Sequence, residues 1–516
     1  MKNIMYFLDY GRAYGGAAHT LMQQAILMRK NGYKINVVIS NYYKNEIDVS
    51  YQRICDSYHI FLHKVPFVMS STPEDINYIE IRNHYSKVKE LIESCMPDIL
   101  HSVQINVTVE LVSRELKIPH IMNIYQAKQS FFSFKYLDIF PRYHLCDSEL
   151  YRKAWSHNLG CHSCCVRTYA KHLDGKQINK RSLVFLCVGA ICERKNQLEV
   201  IKAFEHLTKD KIDARLILCG DDNNEYGAVC RDYVAENQLS ESVKFAGFCV
   251  DINEYYINAD ILVCGSKIES YPNVVSEALA SDCVVVSTPV GGVPEVIKDE
   301  ENGYLCDGFD SCSIAEKMKE AVSDYFERKG HMIRQCAQNT YQQNHSENAV
   351  YHAVQAYYDF VLNDYQRKKS EQEIKYEDLK MMFEDLYERY CEYTDLVLDP
   401  LFISYKLWYL YHIGKLYLQD FRTKPIYLWG TDWATIVVVE MMAVFFPQLE
   451  VSGFIGNDHG ALFLGKTICS PETVLSDKNS IIFIATEDEQ EFIERSLESH
   501  GKKCGQDYFM MAIRVW

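Results

Sequence analysis

The sequence predicts an α/β protein: two facing Rossmann-like units, then a helical linker and a third, smaller α/β unit. Three observations carry this. Short apolar runs of strand length alternate with amphipathic helical runs through the first three hundred or so residues. That alternation starts afresh at Leu183 and again at Ile426, so each stretch builds its own parallel sheet and a cleft is implied between the first two. Finally, 516 residues that are 48% hydrophobic give material for about three domains with full cores.

The first unit opens with strand Ile4–Leu8, a loop containing Gly15 and Gly16, and an amphipathic helix from about Ala17 to Lys30 that Gly32 stops. Strand Ile35–Ile39 completes a βαβ opening. Further strands are expected at Ile99–His101, Ile121–Tyr125 and Tyr143–Cys146. The second unit repeats the pattern from Leu183 to about Cys306, with Val284–Val286 reading as a buried parallel strand. Residues 313–364 read as helices. The predicted divisions are 1–178, 179–345, a crossing helix 346–365, a helical linker 366–422 and an accessory unit 423–516.

Within the linker, Tyr376, Leu379, Phe383, Leu386, Tyr390, Tyr393 and Val397 fall at alternating spacings of three and four, a heptad seam that Pro400 ends. It could pair two copies of the chain or pack on the chain itself. Residues 401–421 are aromatic-rich with Lys406 and Lys415 interspersed, and read as a buried helix in preference to a membrane-surface one. In the third unit the turn beginning at Gly430 lacks the later glycines of a dinucleotide fingerprint, and Trp433 would block a pyrophosphate. A structural or partner-docking role is expected there, through 423–516 as through 372–397.

Composition narrows the function classes. With 54 Lys and Arg against 70 Asp and Glu, the formal charge of −16 disfavours a nucleic-acid partner. The 19 cysteines are scattered without a secreted framework's regular spacing, which suggests reduced thiols and a cytoplasmic setting. The lone Cys-x-x-Cys at Cys161–Cys164 has no second matching pair, so no zinc site is expected. The N-terminal run turns acidic too soon for a signal peptide. No apolar run reaches bilayer length, leaving a soluble or peripheral protein.

The chemistry gathers in the second unit. Glu269 and Glu277 stand eight positions apart around a Pro-containing turn, where a strand is expected to end and Glu277 to open a helix. Open α/β sheets bind ligands at such points, and a carboxylate accepts two hydroxyl hydrogen bonds, as a sugar or ribose would offer. The plain alternative is an exposed turn acid plus a first-turn acid favoured by the helix dipole. Arg194 and Lys195 follow a glycine turn at Gly189 and precede a helix, an unfavourable place for solvated cations but a good one for meeting an anion. Gly15 and Gly16 precede a helix N-terminus, where backbone N–H groups can bind an anion unaided.

These segments occur in a fixed order: Phe185–Asn196, Leu216–Gly220, Val243–Phe248, Ala259–Ser266, Glu269–Glu277, Gly291–Glu295 and Asn302–Leu305. The series resembles the bacterial retaining family 4 glycosyltransferases, the group 1 glycosyl transferases of GT-B type. The resemblance is good over roughly residues 180–360, loose before that, and ends near 365, ahead of the additional C-terminal Rossmann-like unit. It implies a metal-independent, cofactor-free hexosyltransferase that moves a sugar from a nucleotide-diphosphate donor, taken as a UDP-sugar with UDP against GDP left open, to a saccharide or glycolipid acceptor in polysaccharide or cell-surface glycan synthesis. Such an enzyme would be cytoplasmic, at the inner face of the membrane or peripheral to it.

By the same resemblance, Arg194 and Lys195 meet the departing diphosphate, Glu269 binds the donor sugar and Glu277 the ribose. Gly15, Gly16 and Gly189 approach the donor, Tyr271, Pro272, Asn273 and Val274 form a turn whose backbone touches sugar and phosphate, and Phe248 lies where relatives hold the base. Attack from the leaving-group face would need no protein nucleophile, and no Asp-x-Asp stands where a metal-dependent enzyme would carry it. Two departures fall on the acceptor side. The relatives' first-unit His is absent: Tyr125-Gln126 stands there, and His120 lies earlier, in a structural position. Arg167-Thr-Tyr-Ala-Lys171 replaces a relatives' Asn-Gly-Val-Asp turn. A nucleotide-sugar epimerase of the same architecture and a catalytically weak transferase-like scaffold are the alternative readings.

Overall fold

The computed structural model describes residues 2–8, 16–42, 49–70, 78–125, 141–153, 161–175, 182–249, 251–366, 421–432, 435–436, 438–439, 442–443, 449–486, 490–503 and 507–510. The predicted heptad seam, and the aromatic run up to residue 420, lie outside them.

Seven strands form the first sheet: β1 (Asn3–Leu8), β2 (Lys34–Ser40), β3 (Phe61–Val65), β4 (Ile99–Val103), β5 (His120–Asn123), β6 (Tyr143–Cys146) and β7 (His162–Cys165). Their order is β3-β2-β1-β4-β5-β6-β7, with every pairing parallel. The winding reverses between β1 and β4, which leaves a crevice at the carboxyl ends of the strands. β1 is buried on both faces because helices cover each side: Ile4, Tyr6 and Leu8 pack with Leu21 and Ala25 of the Gly16–Lys30 helix, while Met5 and Phe7 pack with Val88 and Ile92. β5 ends at Asn123, two residues before its expected end. All but the first residue of the Cys-x-x-Cys segment falls in β7, paired with β6 so that Cys165 lies opposite Cys146, and its cysteines form no disulfide among the described residues.

The second sheet holds β8 (Leu183–Val188), β9 (Ala214–Cys219), β10 (Val243–Gly247), β11 (Ile261–Cys264), β12 (Val284–Ser287) and β13 (Tyr304–Leu305). The order β10-β9-β8-β11-β12-β13 repeats the same doubly wound, parallel plan. After it, residues 347–366 are helical and return to the first sheet, where Val350, Val354, Tyr358 and Val361 join its core. The Tyr358 hydroxyl lies 2.7 Å from that of Tyr6 and 2.6 Å from His101 Nδ1, and Arg142 pairs with Asp364 at 3.0 Å.

The third sheet comprises β14 (Ile426–Trp429), β15 (Val451–Ile455), β16 (Leu462–Phe463), β17 (Lys466–Cys469), β18 (Ile481–Ile484) and β19 (Tyr508–Met510), ordered β16-β17-β15-β14-β18-β19. Only the β16–β17 hairpin is antiparallel. At its glycine turn, Asp432 Oδ1 accepts from the Thr435 N–H at 2.9 Å and Oδ2 accepts from Thr486 Oγ1 at 2.6 Å. The Asp432 carboxylate thus caps the backbone that follows the turn and ties it to β18's end. Trp433 lies outside the described residues. Among the described residues no helix is long and apolar enough to cross a membrane.

Candidate functional site

A cleft of about 1540 Å³ separates the first two sheets, at the carboxyl ends of their strands. It is lined by Gly16, Gly189, Arg194, Lys195, Phe248, Glu269, Tyr271, Pro272, Asn273, Val274 and Glu277. Every sequence-predicted site residue is therefore brought to one cavity except Gly15, which lies outside the described residues.

The loop after β11 is shaped from beneath. Gly291 sits at φ +51°, and a Cβ there would come within 2.2 Å of the Glu269 carbonyl oxygen and 2.3 Å of that of Ser270. The Gly292 N–H then donates to the Ser270 carbonyl at 2.7 Å. Only glycines let this turn press so closely against the Glu269 backbone. Pro272, at φ −71°, precedes the Asn273–Ala280 helix.

One expectation is corrected here. The helix begins at Asn273 rather than at Glu277, so Asn273 and Val274 are its first residues and Glu277 stands a full turn inside. Pro272 is the extended residue that caps the helix, at φ −71° and ψ 121°, a place where its missing N–H costs no intrahelical bond. The Tyr271 side chain packs into the core beside this loop. Its ring stacks on His345 with centroids 5.5 Å apart, its hydroxyl lies 3.1 Å from His345 Nε2, and the Arg167 guanidinium sits 5.2 Å from the ring centroid.

The charged centre is compact. Glu269 Oε1 is 2.7 Å from Arg194 Nη1 and 2.6 Å from Lys195 Nζ. Arg194 also donates to the Ile268 carbonyl at 2.9 Å. Two cations share one carboxylate, which leaves a local excess of positive charge facing the cavity. Gly189, at φ +136°, lies under the Lys195 side chain. Glu277 accepts a 2.5 Å hydrogen bond from the buried Tyr256 hydroxyl, which fixes one carboxylate oxygen and orients the group.

Contacts between the two units were not foreseen in the sequence. Asp147, just past β6 and 3% exposed, accepts from Ser270 Oγ, while its backbone carbonyl accepts from Arg167 Nη1. Arg167 Nη2 reaches Glu295 at 2.5 Å, and Glu295 in turn accepts from the Glu149 and Leu150 N–H groups at 2.7 and 2.8 Å. Asn273 Nδ2 donates to Thr20 Oγ1 at 3.1 Å across the same gap. Arg167, which marked a departure from the relatives' pattern, thus ties the junction together. His120 lines no part of the cleft. It is buried, with Nδ1 2.8 Å from Glu110 and Nε2 2.8 Å from Ser102.

Burial pushes the Asp147 carboxyl up to about 7, with a smaller contribution from Glu269. Because the folded protein holds this proton more tightly than the unfolded chain, the stability it contributes is complete below about pH 4. That stability is lost as pH rises to about 7. The stability difference between wild type and Asp147→Asn should therefore slope across pH 4–7 and flatten above it, by about 4 kcal/mol at most. Urea titrations at several pH values measure it, and parallel curves would remove Asp147 as the titrating group. His345, which burial lowers to about 4, acts in the opposite direction but equally in both proteins.

Residues 170–343 match the family model for glycosyl transferases group 1. The chain carries a group 1 glycosyltransferase domain. That domain contains the Arg194–Lys195–Glu269 centre and Glu277, while Thr20, Gln104, Tyr125 and Asp147 come from outside it. The N-acetyl-alpha-D-glucosaminyl L-malate synthase of Bacillus anthracis is 27% identical over 187 residues, 36% of this chain and 48% of that protein. The chain thus spans about half the length of this curated relative. A glycosyltransferase from Rickettsia africae superposes with a TM-score of 0.59 at 16% identity, covering 70% of this chain and 98% of that one. Anabaena HepE, solved with UDP and glucose, superposes with a TM-score of 0.57 at 17% identity, covering 69% and 99%. These likenesses establish the shared two-sheet fold around the group 1 domain.

Proposed function

We propose that this chain is a retaining glycosyltransferase that moves a sugar from a UDP-sugar to a hydroxyl of a saccharide or glycoconjugate in polysaccharide or cell-surface glycan synthesis. The observation that carries the reading is the pair of cations on Glu269 in a cleft that Glu277 also lines. Bond breaking at the anomeric carbon builds negative charge on the departing diphosphate, and Arg194 and Lys195 are positioned to meet it. Once they do, Glu269 is released to accept hydrogen bonds from the donor sugar, and Glu277, steadied by Tyr256, receives the ribose hydroxyls. The acceptor oxygen bonds to the anomeric carbon on the face the phosphate leaves. Its proton passes to the departing phosphate oxygen, so UDP departs protonated and no protein nucleophile or metal ion enters the scheme. HepE, with UDP and glucose in its structure, supports the donor class.

Calorimetry against UDP, GDP and ADP tests this. UDP should bind saturably, and Glu277→Ala should weaken it by about tenfold, the value of a lost hydrogen bond to a charged group. Binding of none of the three would sink the reading. Turnover of a UDP-sugar without release of UDP would point instead to an epimerase.

A further inference from the structure

We infer that Cys219 and Cys249 form a redox-sensitive dithiol in the wall of the cleft, which a small-molecule disulfide closes to a bridge that weakens nucleotide binding. The effect on binding rests on the transferase reading; the bridge itself does not. Neither cysteine is in a disulfide, and both line the cleft beside Gly220, Asp221 and Phe248.

Sheet geometry brings the two thiols together. Cys219 is buried at the end of β9. Its neighbour across the ladder is Gly247, the last residue of β10, after an irregularity of register that follows Phe245. Gly247 takes φ +68°, and its carbonyl accepts from the Gly220 N–H at 2.8 Å. The irregularity and the left-handed glycine redirect the chain as it leaves the sheet. Cys249, two residues on, packs against the core cluster that contains Cys219. There the two thiols come within hydrogen-bonding reach, and burial first, then Cys249, holds the Cys219 thiol well above its ordinary range. The Cys249 thiol otherwise meets the Gly247 and Ala246 carbonyls, at 3.5 and 3.9 Å. Cys187, a further thiol that bears on Cys219, belongs to the core on the opposite face of the sheet and cannot pair with it.

Exposure sets the roles of the two sulfurs. Cys249 is half-buried on a cleft-lining loop, where a solute reaches it, whereas Cys219 is buried. The Tyr255 hydroxyl also reaches Cys249, which holds the phenol above its ordinary range. The phenol therefore keeps a proton to donate to a Cys249 thiolate, the species that attacks. That thiolate displaces one thiolate from the small disulfide and becomes a mixed disulfide. Cys219 then gives up its proton to the thiolate released and attacks the Cys249 sulfur, which expels the second. Two protein thiols are oxidised to one bridge, and the reagent is reduced to two thiols. A bridge holds its sulfurs closer than any thiol contact, so it draws the Phe248–Cys249 loop onto the end of β9. Phe248, exposed in the cleft, moves with it. A transient, sensing disulfide of this kind is the sort a reducing compartment tolerates.

The test uses the full chain, reduced and then treated with oxidised glutathione. Peptides from a non-reducing digest are mapped by mass spectrometry, and UDP affinity is measured by calorimetry on the same samples. The peptides carrying Cys219 and Cys249 should be joined, UDP affinity should fall by about tenfold, the size of one lost contact, and dithiothreitol should restore both. In Cys249→Ser and in Cys219→Ala, UDP affinity should be the same before and after the oxidant, which separates this bridge from oxidation of other cysteines. Cys249→Ser changes a half-buried position, so it does not depend on refilling the core as Cys219→Ala does. Glutathione left on Cys249 without a bridge, no reaction at either cysteine, or an oxidant effect that persists in both variants overturns the dithiol. A bridge that leaves UDP affinity unchanged overturns its control of binding. If reduced wild-type protein binds no UDP, the transferase reading falls and the control of binding with it, while the peptide map alone decides the bridge.

Discussion

Lys195→Ala should lower kcat by about 100-fold or more while changing UDP affinity far less, because its charge counts most where charge develops. Lys195 and Arg194 share a carboxylate but not an environment. The Lys195 side chain is 15% exposed, as sheltered as its partner Glu269 at 14%, whereas Arg194 is 48% exposed. A cation screened from water interacts more strongly with a nearby anion than one that water surrounds. Lys195 should therefore carry more of the leaving-group stabilisation, about 3 kcal/mol, with Arg194→Ala costing a smaller factor. Steady-state UDP release, read beside calorimetric UDP binding, separates the two effects. A Lys195→Ala enzyme with turnover close to wild type would remove this residue from the chemistry. A matching loss in UDP affinity and in kcat/KM would assign it to ground-state binding instead.

What could be read in the sequence followed the range of the interactions concerned. Arg194, Lys195, Glu269 and Glu277 were legible because each lies in a short segment whose neighbours announce a strand end or a glycine turn. The doubly wound order followed from alternating apolar runs, and the third unit from the runs that became β14, β15 and β18. Edge strands escaped. β3 runs Phe61-Leu-His-Lys-Val65 with its phenylalanine exposed, and β7 runs His162-Ser-Cys-Cys165 with every residue only partly buried, so neither shows the apolar signature of an inner strand. The start of the Asn273 helix was misplaced because the acid at Glu277 suggested a first turn, whereas the helix starts directly after the extended Pro272.

The junction between the two units was illegible for a different reason. Asp147 meets Ser270, and Arg167 meets Glu295, across 123 and 128 residues of sequence. No local periodicity reports a contact that the closure of two sheets creates. The Gly291–Gly292 pair was legible as a motif, but its purpose depends on this closure too. A Cβ on Gly292 would stand 2.6 Å from Ser148 Cβ in the first unit. The glycine therefore serves the approach of the two units as well as the shape of the Glu269 loop.

Arg167→Ala should be the most destabilising single change at that junction, by about 3 kcal/mol or more, since removing one partner leaves the other charge buried and unmatched. One guanidinium makes three kinds of contact there: an ion pair with Glu295, a hydrogen bond to the Asp147 carbonyl, and a stack over Tyr271. Lysine carries the charge but not the planar fork, so Arg167→Lys should recover little. Glu295→Gln alone should cost less, because the amide oxygen can still accept from one of the Glu149 and Leu150 N–H groups, which Glu295 now receives on separate oxygens. Combined with Arg167→Ala, it should recover part of the loss by removing the stranded charge, a coupling that a double-mutant cycle in urea measures directly. A loss below about 1 kcal/mol for Arg167→Ala would mean that the pair behaves as an exposed surface bridge. The Glu269 loop would then owe its position to the glycine turn beneath it rather than to the junction.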